Sequence, residues 1–224
     1  PILVQFGRYM GGVVRGDLGQ SFVRPANGAS TGGATFNDST RGERAKVFDL
    51  IFDALPMTLQ LAAVTLVIAL IFSAIIGIAG GLAIGRWPDK LAFYISSIFI
   101  SLPNFWLGIV LALLFSVKLG WLPAIGYQGF AYTILPAIVL AVELSPVLIR
   151  TLVSSVSSQM MEPYVAVGRV RGLSRSRIIS NHALRNASVP LLNLLGVQFS
   201  SLLGGVIIVE YIFDYPGLGL LTIN

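Results

Sequence analysis

The sequence predicts an all-α integral membrane protein, with four membrane spans inside the chain, on three observations. Hydrophobic residues make up 55% of the 224 residues and charged residues 11%, and the mean hydropathy is +0.82, outside the range of soluble globular chains. The apolar residues are gathered into four blocks too long for ordinary core helices. The basic residues are concentrated in two of the connections between those blocks.

Residues 1–12 have the spacing of an amphipathic helix, with Ile2, Val4, Phe6, Tyr9 and Met10 on its apolar positions. Residues 27–38 (NGASTGGATFND) hold too little apolar surface to order themselves and are expected to form a mobile external loop. Residues 1–54 are therefore read as one external segment and residues 55–224 as the membrane domain. Helical periodicity resumes at residue 46, and Pro56 marks the start of the first span. Residues 55–85 carry no charged side chain; as a helix they extend roughly 45 Å, against a hydrocarbon core of about 30 Å. Trp87, Pro88 and Asp89 form a turn. The second block, 91–117, is interrupted at Pro103 and Asn104. After a loop whose Trp121 and Tyr127 suit the membrane interface, the third block, 130–149, contains one acid, Glu143. The fourth, 188–209, contains Asn193 and Gln198.

The formal net charge is +5, but its placement argues for membrane topology rather than nucleic-acid binding. Arg86 and Lys90 lie between the first two spans, and Arg150, Arg169, Arg171, Arg175, Arg177 and Arg185 between the last two. An even number of spans separates these connections, so they share one side of the membrane, and the positive-inside bias makes that side the cytoplasm. The absence of cysteine excludes disulfides and thiol chemistry, and a single histidine, His182, cannot build a histidine metal cluster.

Residues 150–187 are a cytoplasmic segment with detailed helix punctuation. Pro163 suits the first position of a helix. Gly172 suits the left-handed position that ends it, with Leu173 placed for the accompanying apolar contact. Ser174 caps a second helix leading toward Pro190. A compact helical element here implies a cytoplasmic partner; a solvated basic loop on lipid head groups is the alternative. At 100° per residue, Tyr164, Val167, Gly168 and Arg171 share one face, which is read as the docking face, while Arg169 lies elsewhere.

Residues 164–190 (YVAVGRVRGLSRSRIISNHALRNASVP) resemble the cytoplasmic signature loop of bacterial ABC importer permeases of the dipeptide, oligopeptide and nickel family. The resemblance runs along the chain in order: RGDLGQS (15–21), LPMTLQL (55–61), PNFWLG (103–108), LGWLP (119–123) and EYIFDYPGLGL (210–220). The chain departs where the family signature begins Glu-Ala-Ala and here reads Ala166, Val167, Gly168. The resemblance implies the transmembrane domain of a type I ABC importer, with six spans, one before Pro1 and one after Asn224. It also implies a bacterial cytoplasmic membrane location, a second homologous permease, two ATPase subunits and an external substrate-binding protein. ATP and magnesium belong to the ATPases, and this chain has no G-x-x-x-x-G-K-[ST] loop of its own. ATPase coupling falls to Pro163, Tyr164, Val167, Gly168, Arg169, Arg171, Gly172 and Leu173. Peptides are the expected cargo, with nickel complexes or other peptide-like solutes as the alternative.

Polar residues within spans are the pathway candidates. Glu143 is the sharpest, because an intramembrane acid is costly unless functional or paired; Asn104, Asn193 and Gln198 accompany it. An intramembrane hydrolase would need an acid pair, a serine with a basic partner, or metal ligands, and a channel would need rings of polar residues; no span shows either pattern. Protease should reach residues 27–38 only from outside sealed vesicles and residues 171–177 only from inside. Cleavage of both from one side contradicts this topology.

Overall fold

The computed structural model describes residues 2–14, 17–25 and 44–223; the loop expected at 27–38 lies outside the described residues. In chain order the elements are α1 (Ile2–Val14), a short antiparallel pair β1 (Gln20–Pro25) and β2 (Arg44–Lys46), α2 (Val47–Gly81), α3 (Trp87–Ser101), α4 (Asn104–Leu111), α5 (Ala131–Met161), α6 (Pro163–Val170), α7 (Arg175–Ile178), α8 (Leu184–Phe213) and α9 (Leu218–Ile223). Helix α4 runs on as a π-helical stretch, Ala112–Lys118, and a second one, Ile179–Ala183, joins α7 to α8. The membrane part is helical, as hydrocarbon demands of a backbone with no water to bond. The strand pair before α2 is an element that the sequence did not signal.

Among the described residues, two helices are long and apolar enough to cross alone: α2 and α5, with mean hydropathies of 2.8 and 2.0. The other two expected spans are bent. Trp87–Ser101 meets Asn104–Lys118 at 96°, and Arg175–Leu202 meets Val206–Phe213 at 53°. The first bend has a local cause. Pro103 clashes with a helical residue before it, and Leu102 is accordingly extended (φ −89°, ψ 120°). The block 91–117 is thus two half-length helices at a right angle, not one interrupted span. Pro56, by contrast, starts nothing: α2 begins at Val47 and runs through it.

The two long helices are parallel neighbours. Gln60 of α2 bonds Thr133 in the first turn of α5, Ser73 bonds the Ser145 carbonyl midway, and Gly77 and Gly81 lie against Leu152 and Val156 toward their ends. A parallel pair requires the chain to return between them, which α3 and α4 accomplish. The approach is close because the buried stripe of α2 is built from small residues: Ala54, Thr58, Ala62, Ala69, Ser73, Gly77 and Gly81. Small residues at helical spacing let backbones approach where lipid supplies no hydrophobic drive. On the opposite face, Val67, Ile71 and Ile75 are more than half exposed, as suits a surface turned to lipid.

Helix α8 runs antiparallel to both, and its Leu202, Val206, Val209 and Phe213 complete the apolar core with Leu61 and Leu140. Arg150 of α5 reaches back to α3, donating to the Ser97 hydroxyl at 3.3 Å and lying 5.9 Å over the Phe93 ring.

A Cβ at Gly77 would fall 2.6 Å from Leu152 Cβ, and one at Gly81 2.7 Å from Val156 Cβ. Gly77→Leu and Gly81→Leu should therefore each destabilise the protein by about 1–3 kcal/mol, while Ile75→Leu should change little. Thermal unfolding of the detergent-solubilised chain, followed by size-exclusion, reads the difference; a wild-type midpoint for Gly81→Leu would contradict the packing.

Candidate functional site

Three arrangements of polar side chains stand out, one at each end of the helices and one between. At the end where α2 begins and α8 stops, Glu210 is fully buried. Thr58 donates its hydroxyl to Glu210 Oε1 at 2.7 Å, and the backbone N–H groups of Gly219 and Leu220 donate to Oε2 at 2.6 and 3.1 Å. Leu218 N–H donates in turn to Thr58 Oγ1 at 2.8 Å. The first N–H groups of a helix have no partners within it. Here those of α9 are met by two side chains from α2 and α8. The chain can turn so tightly because Asp214 takes a left-handed conformation (φ 48°) and because Gly217 has no side chain. A Cβ at Gly217 would collide with the Glu210 carboxylate.

The same end carries a second network. Gln60 Nε2 donates to Thr133 Oγ1 at 3.0 Å and to the Tyr127 hydroxyl at 3.3 Å; Thr133 and Tyr215 share a hydrogen bond of 3.2 Å, and the Tyr127 and Tyr215 rings meet edge to face. Sequence reasoning met Glu210 only as the first residue of the motif at 210–220 and gave it no role of its own. The signal available was the pair Gly217 and Gly219 a short turn after a lone acid.

Midway along the helices, Glu143 lies roughly 18 Å from the start of α5 at 1.5 Å per residue. It lines a cavity of about 220 Å³ together with Leu144, Gln198, Ser201 and Leu202. The Asn104 amide lies beside the Glu143 carboxylate. Asn104 is the first residue of α4, so the bend at Pro103 is what delivers its amide. Of the four pathway candidates, Glu143, Asn104 and Gln198 come together. Asn193 does not line this cavity: it precedes Gln198 by five positions, about 140° around α8. Ser201 joins the cavity instead. Glu143 is exposed on this chain, and a carboxylate at mid-membrane facing acyl chains costs at least about 2.5 kcal/mol. The face carrying it must therefore meet protein or water.

At the opposite end the sequence-expected helix, turn and helix are present. Leu173 N–H donates to the Gly168 carbonyl and Gly172 N–H to that of Arg169, both at 3.0 Å, with Gly172 at φ +77°; this is a Schellman stop. Ser174 accepts from Arg177 N–H and caps α7. The expected docking face is not one face, however. Gly168 is buried, its Cβ position 3.2 Å from Ile178 Cδ1, and Tyr164 is turned inward, donating to Gln159 Oε1 at 2.9 Å. The turn folds α6 back onto α7, and the residue small enough for close approach is spent on that contact. Val167 (49% exposed), Val170 (89% exposed), Arg169 and Arg171 face outward; Pro163 is exposed and Leu173 half-buried at the two ends.

Residues 73–224 match the family described as "Binding-protein-dependent transport system inner membrane component". Among curated proteins, the glutathione transport system permease protein GsiC of Salmonella paratyphi A is 36% identical over 224 residues, covering 100% of this chain and 67% of the relative. Its counterparts in Escherichia coli O6:H1 and Escherichia coli K12 are 36% and 35% identical over the same span and shares.

The buried carboxylate sets a test. Thr58→Val removes a hydrogen bond to a buried carboxyl group and should cost about 1–3 kcal/mol. Gly217→Ala should cost a similar amount by displacing Glu210. Tyr211→Phe, at a side chain 57% exposed, serves as the control and should leave the unfolding midpoint unchanged. An unchanged midpoint for Gly217→Ala would mean that the turn does not press on the carboxylate.

Proposed function

The chain belongs to the binding-protein-dependent transport system inner membrane component family, as a permease of the peptide and oligopeptide ABC importers, and from that premise we propose that its cargo is a peptide or peptide-like solute. The observation that carries this reading is similarity along 100% of the chain to permeases named for glutathione transport, glutathione being a tripeptide. As a permease of an ABC system the chain works with ATPase subunits and a substrate-binding protein and is itself a transport subunit. The proposed assembly pairs it with a second homologous permease, two ATPases and one external binding protein in a bacterial cytoplasmic membrane. Residues 1–54 would face outward and residues 150–187 the cytoplasm.

In this reading the ATPases bind ATP and magnesium, and closure of the ATPase pair pushes on α6. That helix follows α5 with only Glu162 between them, and its Schellman stop fixes it to α7 and hence to α8. A displacement of α6 is thus delivered to two spans at once. The pathway face bearing Glu143 and Gln198 opens alternately to each side by rigid-body movement. The outward residues Val167, Val170, Arg169 and Arg171 make the contact with the ATPase. Tyr164, Gly168, Gly172 and Leu173 hold the shape of the element.

The purified complex with its binding protein, in proteoliposomes, should import labelled glutathione or a dipeptide when ATP is supplied on the ATPase side. ATP-driven uptake of a nickel chelate with neither peptide would overturn the peptide reading. Val170→Asp should lower ATPase recovery on tagged permease about tenfold, by placing a charge in an apolar contact, with the permease's own unfolding midpoint unchanged. Gly168→Trp should also lose transport but should lower that midpoint, because it separates α6 from α7. Normal ATPase recovery for Val170→Asp would remove α6 from the docking contact.

A further inference from the structure

The cavity between α5 and α8 has the composition of a receptor for a cation. Of its lining residues, Glu143, Leu144, Gln198, Ser201 and Leu202, only Glu143 carries charge. Beside it, among the described residues, is the Asn104 amide, which carries no charge to neutralise it. An ionised carboxylate offers about four acceptor positions, so several stay available on the cavity side. The Gln198 amide oxygen and the Ser201 hydroxyl add acceptors on the facing helix. Leu144 and Leu202 supply apolar walls, which strengthen any electrostatic contact made between them. The volume of about 220 Å³ equals the liquid share of several waters at about 30 Å³ each, room for an amino group and its α-carbon.

We infer that Glu143, assisted by Gln198 and Ser201, is a transit subsite for a primary ammonium group, the α-ammonium of a peptide cargo as it passes the middle of the membrane. The inference rests on the peptide-importer reading above. An ammonium has three N–H donors and no acceptor, which matches a wall of one carboxylate and two neutral acceptors. It also explains why a carboxylate stands at mid-membrane without a cation of its own: the cargo brings one. The contact is a passing one, since a subsite that bound tightly would hold its cargo and stop transport.

The assembled importer in proteoliposomes, with its binding protein and ATP, provides the test, using labelled glutathione as the probe. A water-soluble carbodiimide added during turnover activates carboxylates. An amine in contact displaces the activated ester, forming an amide while the carbodiimide leaves as its urea. The α-amine of glutathione should be found coupled to Glu143 by mass spectrometry of the α5 peptide. N-acetylglutathione, which has no amine, should give no such adduct. Glu143→Gln should abolish the adduct and lower glutathione uptake about tenfold, the scale of a hydrogen bond to a charged group. Glu143→Asp should keep both in large part, and the second permease and the ATPases should co-purify with all variants. Coupling of Glu143 to a lysine of the other permease, loss of that subunit from Glu143→Gln, or wild-type uptake by Glu143→Gln would each overturn the subsite. So would the absence of the adduct in a wild-type complex that imports glutathione. If the wild-type complex imports neither glutathione nor a dipeptide, the peptide reading has failed, and the subsite with it.

Discussion

The carboxylate of Glu210 has no exposed surface, and the arrangement of the helices at this end depends on how its burial is compensated. A buried acid without partners costs several kcal/mol. Here every contact donates toward it: a hydroxyl from α2 and two backbone amides from the first turn of α9. The acid thus meets backbone N–H groups of α9's first turn, which have no partners within the helix. One side chain therefore fixes three helices relative to one another. The adjoining cluster of Gln60, Tyr127, Thr133 and Tyr215 brings in α5, so the same end of all the long helices is tied together.

Toward the other end a different force takes over. The contact between α2 and α5 is made of small residues with backbones in near contact, and side-chain hydrogen bonds are few. Interlocked packing of this kind has discrete arrangements rather than a continuum. With polar ties at one end and close packing at the other, α2, α5 and the last turns of α8 are held together along their length. Movement in a transport cycle is then proposed to occur at the surfaces this unit presents to its partners, not inside it.

Those surfaces differ in chemistry. One presents Val67, Ile71 and Ile75 and suits lipid. Another, across α5 and α8, presents Glu143 with Gln198 and Ser201, and the cost of a carboxylate in hydrocarbon keeps it from lipid. The α6–α7 element presents Val167 and Val170 beside Arg169 and Arg171, an apolar centre with a basic margin. The proposed neighbours follow that order: lipid, the pathway shared with a second permease, and an ATPase.

The apolar blocks, the distribution of arginine and the helix stop at Gly172 were all legible in the sequence, because each depends on a residue and its near neighbours. Hydropathy over about twenty residues reflects transfer into the bilayer, and a Schellman stop is set by the chain within six positions. The resemblance carried by the signature loop was legible for the same reason, being a contiguous string. What lay beyond reach depended on residues far apart in the chain. Glu210 and Thr58 are separated by 152 positions, so neither betrays the other. The right-angle bend turned an interrupted span into the support for Asn104. The inward turn of Gly168 was decided by Ile178, on the next helix, and not by the periodicity of its own. Local chemistry thus determined which segments are helical and where α6 ends, while the pairing of faces was left to the tertiary structure, because a face acquires its meaning only from what packs against it.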